Sequence, residues 1–328
     1  MAGQYGIPDN TAVSDGVHLL VPFAACSARP CQEALRELQL PHLQRLLGRL
    51  TPAEHDDAAA DTYSPPHERA LARAYGLEPT DGLIPLAAWQ VRQQGRDPGD
   101  AAWAWITPCH WLVGRDHVQM SSPQALRLDA ADSQALLAAM SPYFAEDGIR
   151  LEYEAPLRWL AQGEIFRALP GASLDRIGGR IIDGWMPRGD TGRPLRRLQQ
   201  EMQMLLYTLP LNDARQRGGL LPVNSFWVSG SGALPAGGAQ APAGLRMPQI
   251  LRDAVLQHDW AAWRNAWRQV DQQECARLAT DLDQGRSVRL TLCGEANAHS
   301  WTSHTTGWWR KVSSMFSRPS PAAALEAL

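Results

Sequence analysis

The chain has 328 residues, 45% of them hydrophobic and 20% charged, the profile of a globular protein with a sizeable core. A formal net charge of −3 excludes a global electrostatic attraction to nucleic acid or to an anionic membrane surface. No apolar run approaches the roughly 18 residues of a membrane span. The apolar stretch from His18 to Cys26 is preceded by Asp9 and Asp15 and by no Lys or Arg, so it lacks the basic region of a signal peptide. Five cysteines, with no C-x-x-C pair, read as reduced thiols in a cytoplasmic protein. Lys311 is the single lysine among 31 basic residues, a skew that points to a GC-rich bacterial genome.

Taken in order, residues 1–16 read as a loose tail. Leu19 to Ala25 reads as a buried strand. Two helices follow over 32–40 and 41–50, the second with Leu43, Leu46, Leu47 and Leu50 on one face and Pro41 in its first turn. The acidic, Ala- and Pro-rich segment 51–66 reads as a surface loop. Pro66 opens a helix that Gly76 closes, and 84–94 is helical. Residues 101–120 form a hairpin. A two-residue turn at Gly114-Arg115 would pair Val113 with Asp116 and place His110 and His117 together on one face. Asp129 or Asp132 caps a helix through Phe144, and 149–153 and 157–160 are short, paired strands. A helix over 173–182 follows. The strongest helix runs from Leu195 to Tyr207, with Leu195, Leu198, Met202, Leu205 and Leu206 as its apolar stripe. Beyond a Gly/Ala/Pro linker come two helices, one on Trp260, Trp263 and Trp267 and the next on Cys275, Leu278 and Leu282, with Asp271 and Glu274 spaced as a capping box between them. A strand at 288–293 and an amphipathic helix at 306–316 complete the chain. The alternation implies an α/β or α+β fold with a mixed sheet flanked by helices. It is one domain over 17–328, with 233–247 as the candidate boundary.

The most unusual chemistry lies between Met202 and Pro235. A polar loop with Asn212, Asp213, Arg215 and Arg217 precedes a strand that carries Asn224, and Ser229, Gly230 and Gly232 close it. A buried amide must find partners, because leaving it unpaired costs about 1–3 kcal/mol. Asn224 therefore either bonds the neighbouring loop or faces a ligand. Glycines flanking a serine either gather backbone N–H groups around an anion or simply turn the chain. His110 and His117 offer two imidazoles, short of the three protein ligands zinc usually takes. Cys109 and His110 point to opposite sides of a strand, which removes a cysteine nucleophile activated by its neighbour. No phosphate-binding G-x-x-x-x-G-K-[ST] loop or G-x-S-x-G elbow is present.

The stretch Thr208 to Gly232 (TLPLNDARQRGGLLPVNSFWVSGSG) resembles a segment of the archaeal-type, cofactor-independent phosphoglycerate mutases. In it, Asn212, Arg215, Pro222, Asn224, Gly230 and Gly232 match the family pattern. Over most of its length, including Thr107 to Val118 and Leu290 to Glu295, the chain also resembles a proteobacterial family of Rpf-type regulatory proteins. The first resemblance implies a degenerate alkaline-phosphatase-like core and, in an active member, two divalent metals with a Ser nucleophile. The run His18 to Ala24, however, carries no acid where the family has Asp-Gly. Gly294-Glu295 likewise offers one carboxylate where the family has Gly-Asp-His.

These readings lead to a vestigial, non-catalytic relative that binds a small phosphorylated or carboxylated metabolite in a regulatory role. Asn212, Arg215, Asn224, Ser229, Gly230 and Gly232 would hold the ligand, with His110, His117 and Glu295 as secondary candidates and no cofactor. Two alternatives stand beside it. One is an active Mn- or Zn-dependent mutase or phosphatase using Asp116, His117, Glu295 and His299. The other is an interaction protein using the Trp-rich segments 259–284 and 306–316.

Overall fold

A computed structural model describes residues 16–236, 242–303 and 320–328. The expected tail and the 306–316 helix thus lie outside the described residues. β1 (Val17–Val21) leads to α1 (Arg29–Glu37), α2 (Pro41–Leu47) and β2 (Thr51–Asp56). Then come α3 (Pro66–Ala74), α4 (Leu86–Gln93), β3 (Trp103–Cys109), β4 (Trp111–Val113) and β5 (Val118–Met120). Next are α5 (Ala130–Glu146), β6 (Arg150–Ala155), β7 (Arg158–Gln162), the single turn α6 (Leu174–Ile177), α7 (Arg193–Tyr207), α8 (Pro210–Arg217) and β8 (Ser225–Gly232). Last are β9 (Gly244–Arg246), α9 (Ile250–Leu256), α10 (Trp260–Val270), α11 (Ala276–Asp283), β10 (Val288–Cys293), β11 (Ala298–Thr302) and α12 (Pro321–Glu326). Among the described residues, no helix is long and apolar enough to cross a membrane.

The chain divides into two compact units, Met1–Asp56 with Ala241–Leu328, and Asp57–Gln240. The second change of unit falls inside the 233–247 stretch.

The first unit is α/β, with a mixed five-stranded sheet in the order β2-β11-β10-β1-β9. β1 runs parallel to both β10 and β9, whereas β11 and β2 are antiparallel. β1 is buried along its whole length, as the centre of a parallel set requires. Val17, Leu19 and Val21 share a core with Val288, Leu290 and Leu292 and with the helices, including Leu43, Leu46, Trp263, Trp267 and Leu278. The segment expected to be a loop over 51–66 instead begins with the edge strand β2, whose mixed burial gives little periodic signal. The expected capping box is also corrected. Asp271 lies within one continuous helical run, in a π-helical turn between α10 and α11. Its carboxylate accepts from the backbone N–H of His42 (3.3 Å) and Leu43 (2.7 Å), so it caps α2, which has no side-chain cap of its own.

The second unit carries an antiparallel four-stranded sheet, β6-β7-β3-β8. Alternation along β3 sorts its two faces. Ala104 and Ile106 meet α5 and α7 through Leu136, Met140, Phe144, Leu195, Leu198 and Met202. Trp103 packs with Ala72 of α3 and Ala87, Trp89 and Val91 of α4. Asp129 caps α5, accepting from the Asp132 N–H at 2.8 Å. The helix expected over 173–182 shrinks to α6, because Gly178 ends it.

A buried polar line crosses the first unit's sheet. His18 Nε2 lies 2.9 Å from Thr291 Oγ1, which lies 2.8 Å from Ser300 Oγ. Burial, with a smaller effect of Arg289, lowers the His18 pKa from 6.5 to about 3. The unfolded chain therefore takes up a proton below pH 6.5 that the folded chain refuses until about pH 3, so His18 costs stability as pH falls through that window. His18→Asn should remove this dependence. The difference in urea midpoint between variant and parent should move in the variant's favour as pH falls from about 7 to about 4, and a pH-independent difference would count against the buried neutral imidazole.

Candidate functional site

The 202–235 stretch folds differently from its expected helix, loop and strand. Pro210 sits in the first turn of α8, so Asn212, Asp213, Arg215 and Arg217 lie on a helix and not on a polar loop. Asn212, 5% exposed, bonds backbone through both its amide nitrogen and its amide oxygen. Nδ2 donates to Leu206 O and Val223 O, both at 2.7 Å, and Oδ1 accepts from the Val223 N–H at 2.9 Å. Arg215, 3% exposed, donates from Nε to Leu221 O, from Nη2 to Leu126 O, and from Nη1 to Asp132 Oδ2 at 2.7 Å. Asn224 clasps the start of β4: the Trp111 N–H donates to Oδ1 at 2.7 Å, and Nδ2 donates to Trp111 O at 2.9 Å. These three side chains build the fold.

The glycines serve packing. Between Trp103 opposite Gly232 and Trp105 opposite Ser229, the ladder slips by one residue, a β-bulge. Gly230 takes φ +64° there, and a Cβ on it would come within 2.7 Å of the Trp105 ring. Gly232, at φ +141°, lies against Pro85. Ser229 is buried opposite Trp105.

The hairpin register differs from the expected one by two residues. Val113 pairs with Val118 and Trp111 with Met120, and the Gly114 N–H donates to His117 O at 2.9 Å. Four residues therefore turn the chain, not two. The alternation survives a two-residue shift, so Trp111 and Met120 remain buried together. His110 falls in the break between β3 and β4, and His117 in the exposed turn. They do not share a strand face.

His110, Asn212 and Asn224 do line one cleft of about 710 Å³ in the second unit, together with Trp111, Val113, Gln203, Leu206, Tyr207, Thr208, Asp213, Gln216 and Pro222. His110 Nδ1 lies 2.8 Å from Pro222 O. A carbonyl only accepts, so Nδ1 carries the proton and Nε2 is left to meet a cleft occupant. Gln203 with Tyr207, and Asn212 with Gln216, are spaced i, i+4 on α7 and α8, which puts each pair on one helix face. That spacing was the sequence signal for cleft residues that the motif reading passed over.

The remaining candidates lie elsewhere. Arg215, His117, Ser229, Gly230 and Gly232 are not in the cleft lining. Glu295 belongs to the first unit, where its Oε2 accepts from Ser27 Oγ and, at 2.9 Å, from the Ser27 N–H. His299, also there, packs against His55 with ring centroids 4.3 Å apart and the rings tilted by 59°. Asp116 sits in the exposed turn of the second unit. Among the described residues, no three His, Cys, Asp or Glu side chains are grouped to hold a metal ion, so two-metal chemistry finds no donor set there. The tryptophans of 259–284 that suggested an interaction surface include two that are wholly buried. Trp263 Nε1 donates to Phe23 O and Trp267 Nε1 to Ala24 O, both at 3.0 Å.

No family model matches the chain, and no curated protein matches it, so the Rpf-type resemblance gains no support from either. Solved structures similar to it include the following two. One is a cofactor-independent phosphoglycerate mutase from Thermoplasma acidophilum, 14% identical over 95% of this chain and 99% of that one, with a TM-score of 0.39. The other is the PH0037 protein from Pyrococcus horikoshii, 12% identical over 88% and 87%, with a TM-score of 0.47. Likenesses at these scores fix neither a family nor an activity.

Removing the Arg215 guanidinium should strand the Asp132 carboxylate and two carbonyls. Arg215→Ala should lose about 2–4 kcal/mol of stability, read from urea unfolding. An unchanged midpoint would show that the side chain is not a structural tie.

Proposed function

We propose that this protein is a mutase-like relative that binds a small molecule without turning it over, in a regulatory role, and that the cleft between α7, α8 and the start of β4 is its binding site. The observation that carries the reading is His110, whose Nδ1 is committed to Pro222 O while the ring lines the cleft. Gln203, Thr208 and Gln216 add hydrogen-bonding side chains, and Trp111, Leu206 and Tyr207 add apolar surface. A few polar groups on apolar walls is the usual make-up of a ligand site. Asn212 and Asn224 shape the walls through their backbone bonds.

Among the described residues, the lining includes the Asp213 carboxylate and neither Arg nor Lys. A carboxylate repels anions, and without an arginine fork an anion lacks its customary partner. The cleft chemistry therefore favours a neutral molecule with hydroxyl or amide groups over the phosphorylated or carboxylated metabolite the sequence suggests.

Ligand-observed NMR with two fragment sets, neutral hydroxyl- or amide-bearing aromatics and 3-phosphoglycerate with simple carboxylates, tests this. Neutral fragments should bind, and His110→Ala and Tyr207→Ala should each weaken them tenfold or more. Binding of 3-phosphoglycerate that both variants leave unchanged would overturn the assignment.

A further inference from the structure

One wall of the cleft is a strand edge. In the β4–β5 hairpin, the Ser121 N–H donates to His110 O and the Gly114 N–H to His117 O, both at 2.9 Å. Trp111 pairs with Met120 and Val113 with Val118. Hydrogen-bonded pairs in an antiparallel ladder alternate with pairs whose N–H and C=O groups point away from each other. His110, Leu112 and Gly114 therefore bond towards β5, while Trp111 and Val113 present their backbone groups to the opposite edge.

At Trp111 that edge is filled. The Asn224 amide holds both the Trp111 N–H and the Trp111 carbonyl, at 2.7 and 2.9 Å, and so stands where a neighbouring strand would. At Val113 the edge is open. Among the described residues, no hydrogen bond reaches the Val113 N–H or C=O. The outer edge of β5 is covered by contrast. There the Met120 N–H donates to Arg180 O at 3.0 Å and the Ile182 N–H to Val118 O at 2.8 Å. The Val118 N–H donates to Asp183 Oδ2 at 3.0 Å. Proteins commonly blunt a bare edge with charge or proline. β4 carries neither, and its Leu112 and Val113 are 47% and 79% exposed.

We propose, on the reading that this cleft is the binding site, that its occupant is an extended peptide segment, which adds to β4 as a strand at Val113. One residue of the segment accepts from the Val113 N–H and donates to the Val113 carbonyl, the main-chain pairing of strand addition. Side chains on either side of it fall alternately into the cleft and out to solvent. Inside, Trp111 and Tyr207 supply aromatic surface, and His110 Nε2 accepts from an N–H, since Nδ1 is held by Pro222 O. Asp213 sets the charge, with no Arg or Lys beside it in the described lining. The segment therefore carries a basic side chain there and no acidic one. A peptide backbone is itself a row of uncharged amides, which suits the amide-bearing ligand that the lining favours.

A positional library of N-acetylated, C-amidated hexapeptides would be screened against the full-length protein, and the best sequence titrated by fluorescence anisotropy. Peptides with an aromatic residue near Lys or Arg should bind, and replacing the basic residue with Glu should weaken binding about tenfold. N-methylation of one amide should cost about tenfold, while methylation of the amides on either side is tolerated, because alternate amides face away from β4. Val113→Pro, which removes the edge N–H, should weaken the same peptide by about tenfold. If no peptide binds while neutral fragments do, strand addition falls and the small-molecule cleft stands; if neither binds, both fall. The proposal falls equally if peptides bind but tolerate N-methylation at every amide. A dimer in sedimentation velocity that no peptide displaces would put a second copy on this edge and overturn it too. The N-methyl scan uses the parent protein, so it decides the matter even where the proline variant folds poorly.

Discussion

A buried side-chain amide whose nitrogen and oxygen both bond the main chain ties distant stretches of backbone together. Asn212 illustrates the constraint, with both its nitrogen and its oxygen committed to the main chain on either side of a turn. Helix α7 ends at Tyr207, α8 runs to Arg217 and β8 starts at Ser225. The end of α7 and the approach to β8 leave carbonyl and N–H groups that no ladder reaches. Each would cost roughly 1–3 kcal/mol if buried unpaired. Asn212 satisfies Leu206 O, Val223 O and the Val223 N–H at once, and Arg215 does the same for Leu126 O and Leu221 O. The walls of the cleft stand where they do because these bonds hold α8 against the start of β8.

The same economy governs the other unit. The turn after β1 places Phe23 at φ +53°, a region that costs a bulky residue of order 1–3 kcal/mol. The indole N–H groups of Trp263 and Trp267 donate to the carbonyls of Phe23 and Ala24. Two large apolar bodies fill the core while their polar edges fix the turn, as amphipathic rings can. Asp271 repeats the device at the start of α2. In each case a side chain distant in sequence finishes backbone hydrogen bonding that a local element leaves open.

This explains why resemblance in the 208–232 stretch speaks to shape more than to reaction. Asn212, Arg215, Pro222, Asn224, Gly230 and Gly232 are the residues that carry the resemblance, and each has a structural task here: amide clasps, an internal ion pair with Asp132, a carbonyl that holds His110, and a bulge beneath Trp105. Asn212, Pro222 and Asn224 of that pattern also line the cleft, beside Gln203, Thr208 and Gln216, which are outside it.

The sequence by itself determined the elements whose burial is periodic: the stripe of α7, the core face of α2, the paired strands β6 and β7, the Asp129 cap, and a mixed sheet among helices. Those signals are local, because one face of one element repeats at its own period. Tertiary structure alone decided the rest. Edge strand β2 and the short β9 carry no such period, so only their neighbours define them. The hairpin register depends on how Trp111 and Met120 pack, and the two-residue shift left every face intact and hence silent in the pattern. Whether Asn212 and Arg215 would meet a ligand or the main chain depended on which carbonyls the folded chain left bare, and hydrogen-bond demand of that kind arises only once distant segments are brought together.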